Sequence, residues 1–457
     1  MTNTSDALLT FTRRALDSIV PADTSLCLAY SGGLDSTVLL DLLVQLRPGH
    51  VRAAHINHGL QPPADDWARS CVTVCEGYGV VCDVIGVALN PEQGNLEAEA
   101  RAARYQALRN HLAADEWLVT AHHQQDQAET LLLALLRGSG VHGLAAMPPL
   151  AERDGMTIVR PLLDASREEL AAYAAARNLV WTDDPSNADE RFDRNYLRQR
   201  VVPLLEQRWP AAGSSIARSA RLAAGAMRVL DERARDDLKP YVAENSLQIA
   251  AFAGLSQERA QNALRAWCRQ LHLPLPTELQ SQSALSTLLD SRVDGEPLAA
   301  WPGARIRRYR DVLYAYPESA DPGAVMSPAR IDWPSAARGE RLQLGPVRGS
   351  LQLLAAVPDD DRPGLLLSAV DQGCEIRFRS GGERLRTRSG GPTRELKKLL
   401  QEDGVLPWMR TNIPLLYVDG QLAAVGEHWL NHDHPAVVSG RGMLLEWRAH
   451  SPLHSPF

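Results

Sequence analysis

CLAYSGGLDST, residues 27–37, is the stretch on which the reading of the first half of the chain turns. Thr24 to Tyr30 (TSLCLAY) has the apolar character of a short buried strand, and Ser36 to Arg47 (STVLLDLLVQLR) repeats Leu and Val at helical spacing. A glycine-rich loop therefore joins a strand to a helix N-terminus. Gly32 and Gly33 can adopt positive φ and turn consecutive N–H groups inward, while the first helical turn adds unpaired donors and partial positive charge. The result is an anion cradle. Neither the lysine nor the longer insert of a Walker phosphate loop is present. A plain turn with Asp35 or Ser36 as helix cap explains one cap but not two adjacent glycines flanked by serines.

Outward from this loop the chain alternates strand and helix patterns. HVRAAHINHG (50–59), the helical stretch around WARSCVTVCEGYG (67–79), VVCDVIGV (80–87) and a helix from Asn95 to Asp115 come first. WLVTAHH (117–123) reads as a strand, QDQAETLLLALLRG (125–138) as a helix, and MTIVRPLL (156–163) as a further strand. SREELAAYAAARNL follows, with Ser166 and Glu169 in a capping-box pattern. Strands separated by single helices imply right-handed crossovers and a parallel sheet covered on both faces. Ligands of such sheets lie beyond the carboxyl ends of the strands, where SGGLDS, AHINHG and AHHQQDQAET all fall.

Beyond Pro210 the pattern becomes helical, in SIARSARLAAGAMRVLDERARDDL and LSQERAQNALRAWCRQL. A Pro-rich stretch (316–334) reads as a linker, and short strand patterns follow, among them the hairpin PLLYVDGQLAAVG with Asp419-Gly420 at its turn. The expected architecture is an α/β N-terminal domain with a parallel sheet covered by helices (1–210), a mainly helical middle domain (211–316) and a β-rich α+β C-terminal domain (335–457).

The composition, 45% hydrophobic and 23% charged, is that of a globular protein with sizeable cores. No apolar run reaches membrane-spanning length, and the N-terminus has no apolar segment with a cleavage site, so a cytoplasmic location without membrane contact is expected. Six cysteines in 457 residues make no disulfide framework. Cys71, Cys75 and Cys82 lack the spacing of zinc or iron–sulfur sites and read as small buried hydrophobes. The formal net charge of −7 argues mildly against nucleic acid, yet residues 371–400 hold eight basic and four acidic side chains. Basicity is local.

Asp126 and Glu129 stand three residues apart at the start of a helix, hence on one face. They could simply offset the helix dipole. At the rim of an anion cradle, however, two carboxylates need a cation between them and the phosphates, either Mg²⁺ or a positively charged substrate. His122 and His123 have no third ligand at a recognisable spacing.

SGGLDS matches the SGGxDS signature of the PP-loop ATP pyrophosphatases, whose fold is adenine nucleotide alpha hydrolase-like and which cleave ATP between its α- and β-phosphates. Taken in order, SGGLDST, NLEAEARAARY, AHHQQDQAETLLLALLRGSGVHGLAAM and DDPSNADERFDRNYLR resemble the bacterial tRNA(Ile)-lysidine synthetases across residues 27–198, and the tail has that family's arrangement. The resemblance implies ATP and Mg²⁺ as cofactors, with Ser31, Gly32, Gly33, Leu34, Asp35 and Ser36 at the pyrophosphate and Asp35 also at the metal. It implies adenylation of the C2 oxygen of the wobble cytidine of a CAU-anticodon tRNA(Ile), then displacement of AMP by the ε-amine of free lysine, so that the anticodon reads AUA rather than AUG.

An amine with a pKa near 10.4 must lose a proton to attack, so carboxylates that bind the ammonium also suit a general base. Asp126 and Glu129 are the lysine-binding candidates, and which of them takes the proton stays open. Arg194 is the candidate for balancing charge on the α-phosphate, making Asp35, Asp126 and Arg194 the expected catalytic set. Arg101 and Arg104 are weaker candidates, because helical arginines usually lie on solvated faces. Arg384, Arg386, Arg388, Lys397 and Lys398, on a loop with glycines around arginines, are the expected tRNA-phosphate contacts.

The rival readings are a PP-loop tRNA thiolase such as a cytidine thiolase, whose expected cysteine pair is absent, an amidating relative, which would need an ammonia source, and a non-catalytic tRNA-binding protein. Oligomeric state is left open.

Overall fold

The computed structural model describes residues 4–57, 59, 64–87, 96–182, 189–243, 245–292, 295–321, 330–334, 336, 339–345, 348–355, 363–439 and 442–448. Part of the Pro-rich stretch (322–329) and the DDPSNA segment (183–188) thus lie outside the described residues, as do His58 and Asn95. The chain divides into two compact units, Met1–Val229 and Leu230–Phe457.

The first unit runs α1 (Thr4–Asp17), β1 (Ser25–Ala29), α2 (Leu34–Leu46), β2 (Val51–Asn57), α3 (Ala64–Gly77), β3 (Cys82–Gly86), α4 (Leu96–His111) and β4 (Glu116–Val119). It continues with α5 (Gln124–Leu136), α6 (Val141–Leu144), β5 (Leu150–Arg153), β6 (Met156–Val159), α7 (Arg167–Ala176), α8 (Asp193–Tyr196), a π-helical turn (Leu197–Val201), α9 (Val202–Arg208) and α10 (Ala212–Leu238), the last of which runs past Val229 into the second unit. The sheet order is β3-β2-β1-β4-β6-β5, parallel throughout except for β5, which pairs antiparallel with β6. The expected parallel sheet is present and carries one additional, antiparallel strand at its edge. Asp154 and Gly155 at its turn have φ of +52° and +79°, the conformation that a tight two-residue hairpin requires.

β1 is buried on both faces, as the inner strand of a helix-covered parallel sheet must be. Leu26 and Leu28 enter a core with α1, α2, α3 and α7, while Cys27 enters a smaller one with Tyr105, Leu108 and Leu118. α2 is apolar around most of its circumference, and Leu39, Leu40, Leu42 and Leu43 are wholly buried, each contributing roughly 1.5–3 kcal/mol. Asp41, also buried on α2, accepts hydrogen bonds from Tyr173 (2.5 Å), Gln45 (2.8 Å), Tyr78 (3.1 Å) and Arg177 (3.1 Å). A buried carboxylate satisfied in this way ties α2 to α7 and to the end of α3. Helix α2 is therefore a fixed platform for the loop before it. The Ser166–Glu169 capping box forms as expected, with Ser166 Oγ accepting the Glu169 N–H at 3.2 Å and Glu169 accepting the Ser166 N–H at 2.7 Å.

Two expected strands are shorter than their apolar patterns suggest. MTIVRPLL stops pairing at Val159, because Pro161 has no N–H for the ladder. WLVTAHH stops at Val119, and His123 instead caps α5.

In the second unit the helices Gln257–Gln270 and Glu278–Leu289 pack through Leu264, Trp267 and Leu288 into a core shared with Leu247, Ile306 and Leu313. These last residues belong to a five-stranded antiparallel sheet ordered Val242–Ala243, Ser246–Gln248, Val312–Pro317, Ala304–Tyr309, Leu298–Trp301. The helical middle region thus carries a sheet that its helical periodicity does not announce. Further on, two five-stranded antiparallel sheets share one core through Ile376, Leu416, Leu351, Leu353 and Trp447. Pro414–Val418 and Gln421–Val425 form the expected hairpin, with Asp419 and Gly420 at φ of +49° and +73°. Among the described residues no helix is long and apolar enough to cross a membrane.

Candidate active site

The loop after β1 lies at the carboxyl end of the sheet. Gly32 has φ +80°, and a Cβ on it would stand 2.7 Å from Cys71 Sγ. Glycine is needed there for two reasons, one conformational and one steric. Gly33 does not use the positive φ open to it. At φ −78° and ψ 170° it is the N-cap of α2, which begins at Leu34 rather than Ser36, and it makes no side-chain cap hydrogen bond. Among the described residues the first turn of α2 has no side-chain cap, and its N–H groups lie at the positive end of the helix dipole. Ser31 and Ser36 hold the loop closed through an Oγ–Oγ hydrogen bond of 3.0 Å, and Ser36 Oγ also donates to the Gly33 carbonyl (3.1 Å). A cavity of about 480 Å³ opens beside the loop between Tyr30, Gly32, Arg69, Cys71 and Thr182, within the range of small-molecule pockets.

Asp35 and Asp126 come from different helices and meet across His123. His123 Nε2 lies 3.5 Å from Asp35 Oδ2, and its Nδ1 accepts the Gln125 N–H (3.1 Å). The His123 backbone N–H donates to Asp126 Oδ2 at 3.0 Å. Burial opposes charge on the ring, but Asp35 and Asp126 outweigh it and raise the pKa above the ordinary histidine value. The neighbouring His122, hydrogen-bonded to Thr120 Oγ1 (2.8 Å), is driven down to about 3 by burial and by Arg160, Arg194 and Arg101, against the pull of Asp126. It is neutral at physiological pH.

Asp126 and Glu129 do share one face of α5, and both are buried, at 8% and 0% exposure. Between them sits the guanidinium of Arg198. Its Nε donates to Glu129 Oε1 at 2.6 Å, and its Nη2 donates to Glu129 Oε2 (3.0 Å) and Asp126 Oδ1 (2.9 Å). Arg194 Nη2 donates to Thr130 Oγ1 (2.9 Å), and its Nε lies 3.5 Å from Glu129 Oε2. The two carboxyls are not equivalent. Burial raises the Glu129 pKa, and the arginines do not fully offset it. At Asp126 burial is outweighed by His123, His122 and Arg198, which bring it to about 2.

The sequence candidates Asp35, Asp126, Glu129 and Arg194 are therefore gathered into one site, together with three residues that sequence reasoning does not select. Arg198 stands one helical turn beyond Arg194 in the motif RFDRNYLR, so the i, i+4 spacing is its signal. His123, weighed in the sequence only as a metal ligand, is the cap that links the two acids. Arg160, buried at the end of β6, donates to the Pro148 carbonyl (2.9 Å), and its sequence context gives no signal. Arg101 lies over the Tyr105 ring at 5.2 Å, while Arg104 is exposed.

A metal at Asp35 is compatible with the donor set. Among the described residues Asp35 Oδ1 is buried without a hydrogen-bond partner, and no group of three or more His, Cys, Asp or Glu gathers for a protein-only site. One carboxylate oxygen completed by phosphate oxygens and water is the coordination Mg²⁺ favours. All six cysteines are free; Cys71 and Cys75 are buried as expected, whereas Cys82 is only half-buried.

In the second unit Arg384, Arg388 and Lys397 are exposed and have no ion-pair partner among the described residues. Arg386 pairs with Asp433 at 2.8 Å, and Lys398 lies 3.9 Å from Glu395. Three of the five expected phosphate contacts thus carry free charge.

Comparison with known proteins matches residues 8–205 to a PP-loop domain, residues 247–314 to a TilS substrate binding domain and residues 374–447 to a TilS substrate C-terminal domain. The chain is 37% identical over 432 residues to the tRNA(Ile)-lysidine synthase of Methylococcus capsulatus, covering 92% of this chain and 95% of the relative. It is 40% identical to that of Xanthomonas axonopodis pv. citri, covering 92% and 93%. With that of Pectobacterium atrosepticum the identity is 41%, covering 88% and 90%.

Proposed function

Since the chain belongs to the tRNA(Ile)-lysidine synthase family, ATP-dependent ligases built on a PP-loop domain, we propose that it makes lysidine in two steps that share the site around Asp35, Asp126 and Glu129. The observation that carries this reading is a buried acid pair, closed on a cationic head group, beside a backbone anion cradle. Such a site suits a phosphate on one side and an ammonium on the other.

In the first step the Gly32–Ser36 backbone and the α2 N-terminus hold the β- and γ-phosphates. The C2 oxygen of the wobble cytidine attacks the α-phosphate, pyrophosphate leaves, and the base carries AMP on O2. Asp35, through its orphaned Oδ1, would hold Mg²⁺, which supplies charge neutralisation at the phosphates. Arg194, whose Nε makes no hydrogen bond among the described residues and has only the more distant Glu129 Oε2 at 3.5 Å, is the candidate for the charge that develops on the α-phosphate.

In the second step the lysine ε-ammonium enters between Asp126 and Glu129. Asp126, held at about 2, stays ionised and anchors the cation. Glu129, with its raised pKa, is the better proton acceptor and so the candidate base. As the proton leaves, the amine nitrogen attacks C2 and AMP departs with the former carbonyl oxygen. The exposed Arg384, Arg388 and Lys397 would meet tRNA phosphates, with Arg386 and Lys398 available once they leave their carboxylates.

Nucleoside mass spectrometry of CAU-anticodon tRNA(Ile), incubated with the protein, ATP and lysine, tests the proposal. A cytidine heavier by lysine less water is expected. A sulfur-for-oxygen gain, or no change in the presence of active ATP turnover, would overturn it.

A further inference from the structure

The resting acid pair already has an occupant. Arg198 takes both oxygens of Glu129 and Oδ1 of Asp126, and the His123 backbone N–H takes the remaining oxygen of Asp126. With Glu129 fully buried and Asp126 nearly so, an incoming ammonium has no open carboxylate face, and a second cation beside the guanidinium would be repelled at short range. Lysine must therefore replace Arg198 rather than join it.

The backbone carrying Arg198 is suited to that exchange. Leu197–Val201 is a π-helical turn inserted between α8 and α9. Such a turn accommodates one extra residue, and moving the insertion by one position re-aims a side chain by about 100° while the flanking helices stay helical. The direction in which the guanidinium can be drawn is also marked. Asp35 lies close enough to favour the Arg198 charge, and Asp35 stands at the phosphate cradle, linked to Asp126 through His123. Phosphates placed there present more negative charge than the two carboxylates they compete with.

We propose that Arg198 is a placeholder cation that seals the acid pair until the phosphates of ATP or of the adenylated base draw it away, so that lysine binds only to a loaded enzyme. Arg198 is thus a positioning residue, acting through Asp126 and Glu129, and it sets the order of the two half-reactions. An acid pair left open would hold free amines beside an empty phosphate site. Occupation by a tethered guanidinium removes that competition without an extra domain movement. The inference rests on the reading of Asp126 and Glu129 as the lysine site.

Equilibrium dialysis of radiolabelled lysine tests it, using the full chain with Mg²⁺, with and without the α,β-methylene analogue of ATP, which resists cleavage at the α–β bridge. For the wild type the analogue should tighten lysine binding roughly tenfold or more, within the usual range of coupling between sites. Arg198→Gln should bind lysine equally well in both conditions, at the tighter wild-type value, and Arg198→Lys should restore part of the nucleotide dependence. Simple attraction between lysine and bound phosphates would survive in Arg198→Gln, so dependence retained in that variant overturns the placeholder role. Equal lysine affinity of the wild type with and without the analogue overturns it as well, and that measurement stands even if Arg198→Gln does not fold. Glu129→Gln in the same dialysis separates the two readings. Loss of binding in this variant, together with indifference of the wild type to the analogue, defeats the placeholder alone, whereas unchanged binding defeats the lysine site on which it rests.

Discussion

Gly32→Ala should disable the phosphate cradle through two separable costs. At φ +80° the left-handed backbone costs an L-residue about 1–2 kcal/mol. The new methyl would also stand 2.7 Å from Cys71 Sγ, and overpacking of this kind typically costs about 1–3 kcal/mol. Cys71 cannot swing clear easily, since it is 3% exposed and its sulfur lies 3.4 Å from His55 Nδ1. If the loop relieves the strain by moving, its N–H groups leave their aim, and removing about 2 kcal/mol from binding is already roughly thirtyfold in affinity. Cys71→Ala removes the obstructing sulfur, which among the described residues, chain neighbours aside, is the one atom such a Cβ would meet within 4 Å. Calorimetric titration with the α,β-methylene ATP analogue should therefore rank wild type tightest, Gly32→Ala/Cys71→Ala intermediate and Gly32→Ala weakest. Wild-type affinity in Gly32→Ala would refute the requirement for a positive φ. A double variant no better than Gly32→Ala would show that Cys71 is not the steric limit.

Three other perturbations probe the rest of the site. Glu129→Gln should raise the lysine requirement by roughly 10–150-fold, the value of a buried charge-assisted hydrogen bond of about 1.5–3 kcal/mol, with a smaller reduction of tRNA adenylation; single-turnover AMP formation and lysine titration measure the two. Asp126, held at about 2 instead of 3.8, contributes stability that is present above pH 3.8 and is lost as pH falls toward about 2. Asp126→Asn should therefore cost about 2 kcal/mol at neutral pH and move acid unfolding of the first unit to higher pH, followed by far-UV circular dichroism. Reversal of Arg384, Arg388 and Lys397 to Glu should weaken tRNA binding at low salt and flatten its salt dependence by about 0.7–0.9 log units per decade for each phosphate no longer neutralised; a wild-type slope would return these residues to ordinary solvated surface.

Local features are the ones legible in the chain alone. The SGGLDS loop, the strand before it and the helix after it follow from glycine placement and apolar spacing, because the physics involved spans a few residues. The Ser166–Glu169 cap and the Asp419-Gly420 hairpin are legible for the same reason, and Asp154-Gly155 carries an equal signal for the hairpin at the sheet edge. Asp126 and Glu129 fall on one face of a helix from their spacing alone.

Everything else waits on the folded chain, because it depends on groups far apart in sequence. That Gly32 lacks room for a methyl depends on Cys71, a residue of α3. That Glu129 is the weaker acid depends on its complete burial, and that Asp126 is the stronger one depends on His123, His122 and Arg198, which no single local pattern brings together. Arg198 is the clearest case. Its spacing from Arg194 is written in the sequence, but its place between two buried carboxylates arises only when a π turn more than sixty residues downstream folds back onto α5, and long-range charge pairing of that kind leaves no periodic trace in the chain.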